Sequence, residues 1–261
     1  MSSNKISLYS KIFRRYIHAV DIEDLILKNK RRFDGNLMKV CINEIGEGKC
    51  TADMEVCEEH TNLQNSLHIG MTFTLVDALT TFGLLSHKNS EMVDTVSVDL
   101  ILSFIVFNNI MGPIFYSFKR AIGTEMIRQF LHKQRGFEQV LKKMKVIEAG
   151  NGICLTEFKI DKEHINSRNA LHSGLITTLV DSVTSCAFFT HKTCEGSVSV
   201  SVNINIKFFN EAYIGDTILV HAKTAKAGNT MGYLECTLSN KANGDIVATG
   251  THVKYLLSSD K

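Results

Sequence analysis

Residues 197 to 207 read SVSVSVNINIK, with serine, asparagine and lysine alternating strictly against valine and isoleucine. Successive side chains of an extended backbone point to opposite faces, so this is the clearest strand in the chain, and Ser201 falls on its polar side. Three more strand-like runs follow, at 214 to 224, 230 to 240 and 246 to 256, with Gly228-Asn229 and Asn243-Gly244 between them as hairpin turns. Upstream, residues 174 to 190 place Leu175, Leu179, Val183 and Cys186 at helical spacing, and Ile176, Val180 and Ala187 widen the apolar face. That predicts one long, mostly buried helix starting at Ser173 or His172. Residues 145 to 149 and 153 to 160 predict two short strands around Gly150-Asn151-Gly152. Met126, Ile127, Phe130, Phe137, Val140 and Leu141 predict a helix, or two short ones, over 121 to 146. The order is strand, strand, long helix, then four strands of an antiparallel meander. It predicts an α+β fold in which a curved antiparallel sheet wraps one helix. A single proline in the whole chain fits long unbroken strands.

The same pattern occurs twice. At a constant offset of 104 positions, Phe33 matches Phe137, Cys50 matches Cys154, and Glu59-His60 matches Glu163-His164. Leu67-His68 matches Leu171-His172, Gly70 matches Gly174, Thr74-Leu75-Val76-Asp77 matches Thr178-Leu179-Val180-Asp181, and Val96-Ser97-Val98 matches Val200-Ser201-Val202. The match stops near Phe104 and Phe208, and residues 209 to 256 have no counterpart in the first copy. The expected organisation is an N-terminal extension over 1–30, a partial repeat over 31–105, a linker or helix over 106–130, and a complete unit over 131–257.

Composition narrows the function classes. A net charge of +2 over 261 residues gives no global drive toward nucleic acid or membrane. No uninterrupted apolar run reaches the ~18 residues that span a bilayer, so no transmembrane segment is expected. The seven cysteines are odd in number, scattered and without a CxxC pair, which argues for a reducing compartment and against a disulfide framework or zinc site. The first twenty residues carry Lys5, Lys11, Arg14 and Arg15 and no acid. This is the composition of a mitochondrial transit peptide, or else a basic surface helix or frayed terminus, so a mitochondrial or cytoplasmic location is expected. The ten histidines show no HxxxH or HExxH spacing and no glycine-rich phosphate loop appears, so neither a metal nor any other cofactor is expected.

Four polar positions recur in both copies: Asn166, His172, Asp181 and Ser201, with Asn62, His68, Asp77 and Ser97 as partners. His172 and Ser173 sit where the helix starts. Backbone N–H groups there lack intrahelical partners and face the positive end of the dipole, so they serve either as a plain cap or as a cradle for an oxyanion. Asp181, two turns in, reads either as part of a solvated stripe or as a buried carboxylate available as general base or nucleophile. Without a GxSxG elbow, Ser201 is better suited to holding water or the carboxylate than to attacking. Asn166 and Ser201 also read as ordinary polar residues of the surface.

The run EHINSRNALHSGLITTLVDSVTS followed by VSVSVNINIKF resembles the phenylacetyl-CoA-type hotdog thioesterases over 137 to 257, and more weakly over 33 to 104. The resemblance implies a hotdog fold, in tandem with an incomplete first copy, and hydrolysis of acyl-CoA without metal or cofactor. It implies that Asn166 and the Ser173 backbone N–H, beside His172, polarise the thioester carbonyl. Asp181 would then be nucleophile or general base, and Ser201 its support. Coenzyme A would lie against Ser201, Phe208, Phe209, Asn210, Glu211, Ala212 and Tyr213, then Lys226, Ala227, Gly228, Asn229, Thr230 and Met231, and Tyr255. In such proteins the helix start of one module meets the acid of another. A homo-oligomer (a dimer or a dimer of dimers) or an intrachain pseudo-dimer is therefore expected, with acyl-CoA as the partner and no nucleic acid. The chain departs from the family's HGG in having His172-Ser173-Gly174, and His68-Ile69-Gly70 in the first copy. The first copy also lacks its last three strands and cannot complete a hotdog alone. That truncation motivates an alternative, a non-catalytic acyl-CoA-binding or assembly module. Hydration of enoyl thioesters would need a differently spaced His and Asp, which is not found.

Overall fold

The computed structural model describes residues 19–62, 65–87, 97, 99–103, 123–132, 135–194 and 197–257. Most of the basic N-terminal stretch, residues 106–122 of the expected linker, and Val96 and Val98 of the repeat lie outside them.

α3 (Thr124–His132) and a 3-10 turn (Gly136–Leu141) lead into the second repeat, the two-helix alternative of the sequence reading. β4 (Lys145–Gly150) and β5 (Ile153–Lys159) follow, joined through Asn151 and Gly152 at φ 52° and 81°. Two consecutive left-handed residues form the tight turn that matches strand twist. Next come α4 (Ser173–Phe189), β6 (Ser199–Phe208), β7 (Thr217–Ala227), β8 (Met231–Asn240) and β9 (Ile246–Leu256). The sheet wraps α4, whose Leu175, Leu179, Val180 and Val183 are fully buried; this is the hotdog arrangement. Gly250 lets β9 run close to the helix, since a Cβ there would come within 2.6 Å of Val180 Cγ1.

Two details differ from the sequence reading. The last four strands are not a simple meander, because the order is β6-β9-β8-β7-β5-β4. β7 is already flanked by β5 and β8, so β6 joins the free edge of β9. Alternation reveals a strand but not the edge it joins. In addition, Ser201 does not lie on the polar face. A register shift between Ser201 and Asn203 turns it inward with Ile204 and Ile206, and it is buried. One extra residue at a bulge reverses the parity on which alternation depends.

α1 (Ala19–Lys28) precedes the first repeat, which supplies a 3-10 turn (Phe33–Leu37), β1 (Val40–Gly46), β2 (Lys49–Met54), α2 (Ile69–Ser86) and β3 (Asp99–Ser103). β1 and β2 form a sheet of their own, while β3 pairs antiparallel with β6 and extends the second repeat's sheet to seven strands. In that pairing Ile101 faces Asn205, its own counterpart at the repeat offset, which marks a pseudo-twofold axis.

The same axis relates the two helices. A Cβ on Gly70 would come within 2.1 Å of Thr178 Oγ1, and one on Gly174 within 2.1 Å of Thr74 Oγ1. Glycine at both crossings allows α2 and α4 to touch. Phe33 and Phe137 meet edge to face at 6.0 Å, and each donates its backbone N–H across the axis, to Ile165 O and Thr61 O. Buried aromatic pairs of this geometry add about 0.5–1.5 kcal/mol beyond the area they bury. By length and composition α2 is long and apolar enough to cross a membrane, although its threonines and Asp77 leave no unbroken apolar run. Here it packs against α4, β1 and β2, with 39% of that span buried.

Candidate active site

His172 caps α4: its Nδ1 accepts the Gly174 N–H at 3.0 Å, and Ser173 becomes the first helical residue. Because Nδ1 accepts, the ring proton is on Nε2, which donates to Asp34 Oδ1 of the first repeat at 3.1 Å. Phe33 stacks against the same ring with centroids 4.7 Å apart. The reciprocal arrangement holds His68, whose Nδ1 accepts from Gly70 at 2.9 Å while Phe137 lies 5.1 Å away. Each helix start is therefore framed by the other repeat.

Asp77, in the middle of α2, accepts a hydrogen bond from the Ser97 hydroxyl on one carboxylate oxygen and from the Ser173 hydroxyl on the other. The acid of the first repeat thus sits at the amino end of the second repeat's helix, where unpaired N–H groups and the dipole favour negative charge. Asn166 lines the same space. Its Oδ1 accepts from Arg168 N and Ala170 N within its own loop, so what it has to offer a ligand is its Nδ2 donor. Arg32 holds the Asn166 carbonyl at 2.7 Å, again from the opposite repeat. The loop is tied to the segment between β6 and β7 by Leu171 N to Ala212 O, 2.7 Å, and by the bridge between Ala170 and Tyr213. Around these groups lies a cavity of about 670 Å³, with Asp77, Ser97, Asn166, His172 and Ser173 on its wall. That volume is typical of a small-molecule site.

Asp181 and Ser201 are not part of this cluster. Asp181 is eight residues along α4 from Ser173, about 12 Å at the helical rise. It is buried, which removes the solvated-stripe reading, and it stands 3.8 Å from His252 Nε2. The Thr184 hydroxyl donates to Val180 O, so it accepts from His252 Nδ1–H; His252 Nε2 then accepts the Ser201 hydroxyl at 2.8 Å. Burial, and then the charge of Lys254, holds the His252 pKa well below the usual imidazole value. Lys254 Nζ reaches Ser185 Oγ at 2.9 Å, and burial lowers its pKa against the opposing pull of Asp181. His252 and Lys254 were not singled out from sequence. They share the parity of the buried Ala248 and Gly250 on β9, and polar residues at inward parity were the signal that could have found them.

The residues expected to hold coenzyme A divide in the same way. Phe208, Phe209, Asn210, Glu211 and Ala212 line the cavity, with Arg168 paired to Glu211, while Tyr213 stands beside it and donates to Glu211. Lys226, Ala227, Gly228, Asn229, Thr230 and Met231 turn at the other end of the sheet. There Met231 pairs with Tyr255, and Tyr255 with Val200. Eight strand residues, about 26 Å, separate Val200 from Phe208. Asn62 and His68 lie at the start of α2, where Ile69 takes the place of Ser173 and offers a backbone N–H but no hydroxyl.

Of the seven cysteines, Cys154, Cys186, Cys194 and Cys236 are buried and Cys41 is exposed. Cys57, Glu59 and His60 bring three possible ligand atoms within 4.8 Å. His60 Nδ1 is already used by Cys57 N and Glu59 by Lys39, so as built the group is a capping turn.

Comparison with known proteins gives concordant results. The profile described as Thioesterase superfamily matches residues 169–247. Acyl-coenzyme A thioesterase 13 of Homo sapiens is 36% identical over 136 residues, 51% of this chain and 96% of that protein. The Mus musculus protein of the same name is 35% identical over 130 residues, 50% of this chain and 91% of its own length. The crystal structure of zebra fish thioesterase superfamily member 2 superposes with a TM-score of 0.50 at 34% identity, covering 52% of this chain and 99% of that one.

Proposed function

Because the chain belongs to the thioesterase superfamily, we propose that it hydrolyses acyl-CoA thioesters to the free acid and coenzyme A, at the site shared by Asp77 and Ser173. One observation carries the reading: the Asp77 carboxylate of the first repeat is hydrogen-bonded to the first residue of the second repeat's helix, on the wall of the cavity.

In this reading the thioester carbonyl accepts from the Ser173 N–H and from Asn166 Nδ2. Asp77, oriented by the Ser97 and Ser173 hydroxyls, takes a proton from water. The resulting hydroxide adds to the carbonyl carbon, and the helix start stabilises the oxyanion. When the intermediate collapses the C–S bond breaks, and the proton held by Asp77 passes to the departing thiolate to give the free thiol. His172, fixed by Asp34, Phe33 and Gly174, sets the angle of the helix start. The set Asn166, His172, Ser173, Asp77 and Ser97 is supplied by one chain, so the intrachain pseudo-dimer suffices for chemistry. Asp181, Ser201, Asn62 and His68 form the pseudo-symmetric half-sites.

A thiol-release assay on the full chain with acyl-CoA esters of several lengths tests the reading; no free thiol at any length would overturn it. A second reading, an acyl-CoA-binding assembly module, is favoured by one feature. Ile101 on β3, at the edge of the seven-stranded sheet, is 58% exposed. Saturable binding of the esters without thiol release would establish that reading instead.

A further inference from the structure

Residues 32–34 of the first repeat bracket the second. The Arg32 guanidinium donates from Nη1 to the Asn166 carbonyl at 2.7 Å. The Phe33 backbone N–H donates to the adjacent Ile165 carbonyl at 3.3 Å, and Asp34 accepts from His172 Nε2 at 3.1 Å. These contacts fall on the two pieces of backbone that carry the carbonyl donors, the Asn166 turn and the start of α4.

Only part of the bracket is repeated about the pseudo-twofold axis. The Phe137 N–H donates to Thr61 O at 3.0 Å, and His68 Nε2 lies 3.4 Å from Glu138. At the repeat offset, however, Gly136 stands against Arg32. Gly136 has φ 64°, and a Cβ there would lie 2.2 Å from Thr61 O, so the chain takes a path at 136 that admits no side chain. Arg32 has extended backbone, φ −106° and ψ −177°, which any residue adopts. The arginine contact is therefore particular to the Asn166 turn, which shares the cavity wall with Asp77 and Ser97.

The other bonds around Asn166 do something different. Its Oδ1 accepts from Arg168 N at 2.9 Å and from Ala170 N at 3.2 Å, which sets how the side-chain amide is turned within its own loop. Leu171 N to Ala212 O ties that loop to its own repeat. Arg32 ties Asn166 itself to the repeat that supplies Asp77 and Ser97. A guanidinium on a carbonyl is a charge-assisted bond, stronger than its neutral equivalent, and suited to holding two modules in register.

We propose that Arg32 is a positioning residue of this site, acting through Asn166: it fixes the Asn166 Nδ2 donor relative to the Asp77 carboxylate, so that the carbonyl and the attacking water are held in register. The proposal rests on the thioesterase reading, in which Asn166 Nδ2 donates to the thioester carbonyl. That bond strengthens as the carbonyl oxygen gains negative charge, so loss of Arg32 falls on kcat and leaves KM nearly unchanged.

Arg32→Met keeps the hydrocarbon stem without the donor. Arg32→Lys restores a cationic donor, which suffices for a single-point contact with a carbonyl. In thiol release from lauroyl-CoA, kcat is expected to fall about tenfold in Arg32→Met, less than the 10²–10³ of an oxyanion donor removed outright, with KM within about twofold. Arg32→Lys is expected to recover most of that loss. In an Asn166→Ala background, Arg32→Met is expected to cost no more than about twofold, because residues that act as a unit are not additive. A general loss of folding, or a long-range effect of the charge, would carry its full cost into that background and overturn the proposal, as would an unchanged kcat in Arg32→Met.

Binding distinguishes failure of this proposal from failure of the thioesterase reading. Calorimetry compares the ketone analogue of lauroyl-CoA, in which a methylene replaces the thioester sulfur and hydrolysis is impossible, with the dodecyl thioether of coenzyme A, which has no carbonyl. The full chain is expected to prefer the ketone by about tenfold, the scale of one net hydrogen bond. Arg32→Met is expected to lose most of that preference while binding the thioether as before. If the preference follows Arg32 and no ester is hydrolysed, the thioesterase reading fails while the role of Arg32 stands. A wild type that does not distinguish the two ligands, or a preference that Arg32→Met leaves unmoved, overturns the proposal.

Discussion

The hydroxyl of Ser173 donates to the carboxylate of Asp77 although 96 positions separate them in the chain. Ser173 begins the long helix of one repeat and Asp77 lies in the middle of the long helix of the other. Their contact depends on the helices crossing at Gly70 and Gly174, and on β3 pairing with β6 about the same axis. The polypeptide thereby builds inside itself an interface of the kind that separate modules form by association.

Replacing Asp77 by Asn keeps the shape, with one hydroxyl still donating to the amide oxygen and the other turned to accept from the amide nitrogen, but removes the base. Turnover of acyl-CoA is expected to fall by about two to four orders of magnitude, the usual contribution of a positioned general base. Asp181→Asn, away from the cavity, is expected to stay within about tenfold of wild type by the same scale. Thiol release from both variants, alongside circular dichroism to verify folding, checks this. The opposite ranking would move the chemistry to the Asp181 side.

The backbone donor at Ser173 can be separated from its hydroxyl. Ser173→Gly keeps the N–H and is expected to retain most activity. Ser173→Pro removes the N–H at the first helical position, where proline is well tolerated, and His172 already has the extended φ −69° and ψ 134° that a following proline demands. A loss of about 10²–10³ in kcat with little change in thermal midpoint is expected for Ser173→Pro, the magnitude of one lost oxyanion donor. Equal activity of the two variants would remove the helix start from the mechanism.

At the helix crossing, Gly174→Ala would put a methyl 2.1 Å from Thr74 Oγ1 and 3.0 Å from Thr74 Cβ, a β-branched side chain with little freedom on a helix. A destabilisation of about 1–3 kcal/mol is expected from overpacking, with part of it recovered in Gly174→Ala/Thr74→Ala. Urea midpoints of the two variants and of Thr74→Ala alone measure the coupling.

Acid should weaken the fold through His252. Its pKa is held well below 6.5 by burial and by Lys254, so the unfolded chain binds a proton that the folded chain refuses. The stabilisation is complete above pH 6.5 and is lost as the pH falls from there toward the depressed folded value. The slope is at most about 1.4 kcal/mol per pH unit. His164, also lowered by burial, adds to the acid dependence in the same direction. His252→Gln is therefore expected to reduce the acid dependence of the urea midpoint without abolishing it, and an unchanged dependence would count against a neutral His252.

Much of this was legible along the chain. Period-two and period-3.6 patterns located β4 to β9 and α4 to within a few residues, because side-chain direction in a strand or helix is set locally by the backbone. The matched polar positions pointed to Asn166, His172, Asp77 and Asp181. Alternation puts Ser201 on the wrong face, because a bulge is an event of strand pairing and leaves no trace in it. His252 and Lys254 stand out only once the residues that β9 turns inward are known, because the pattern that locates a strand does not say which face is covered.

The sequence by itself determined the elements, the repeat, its truncation and the residue types available for acyl transfer, since each depends on neighbours within a few positions or on direct identity between copies. Which acid meets which helix start was decided only by tertiary structure. Asp77 and Asp181 stand in nearly identical local sequence, and what separates them is their surroundings. One faces Ser173 and a cavity; the other faces His252 and a strand that the first repeat does not possess.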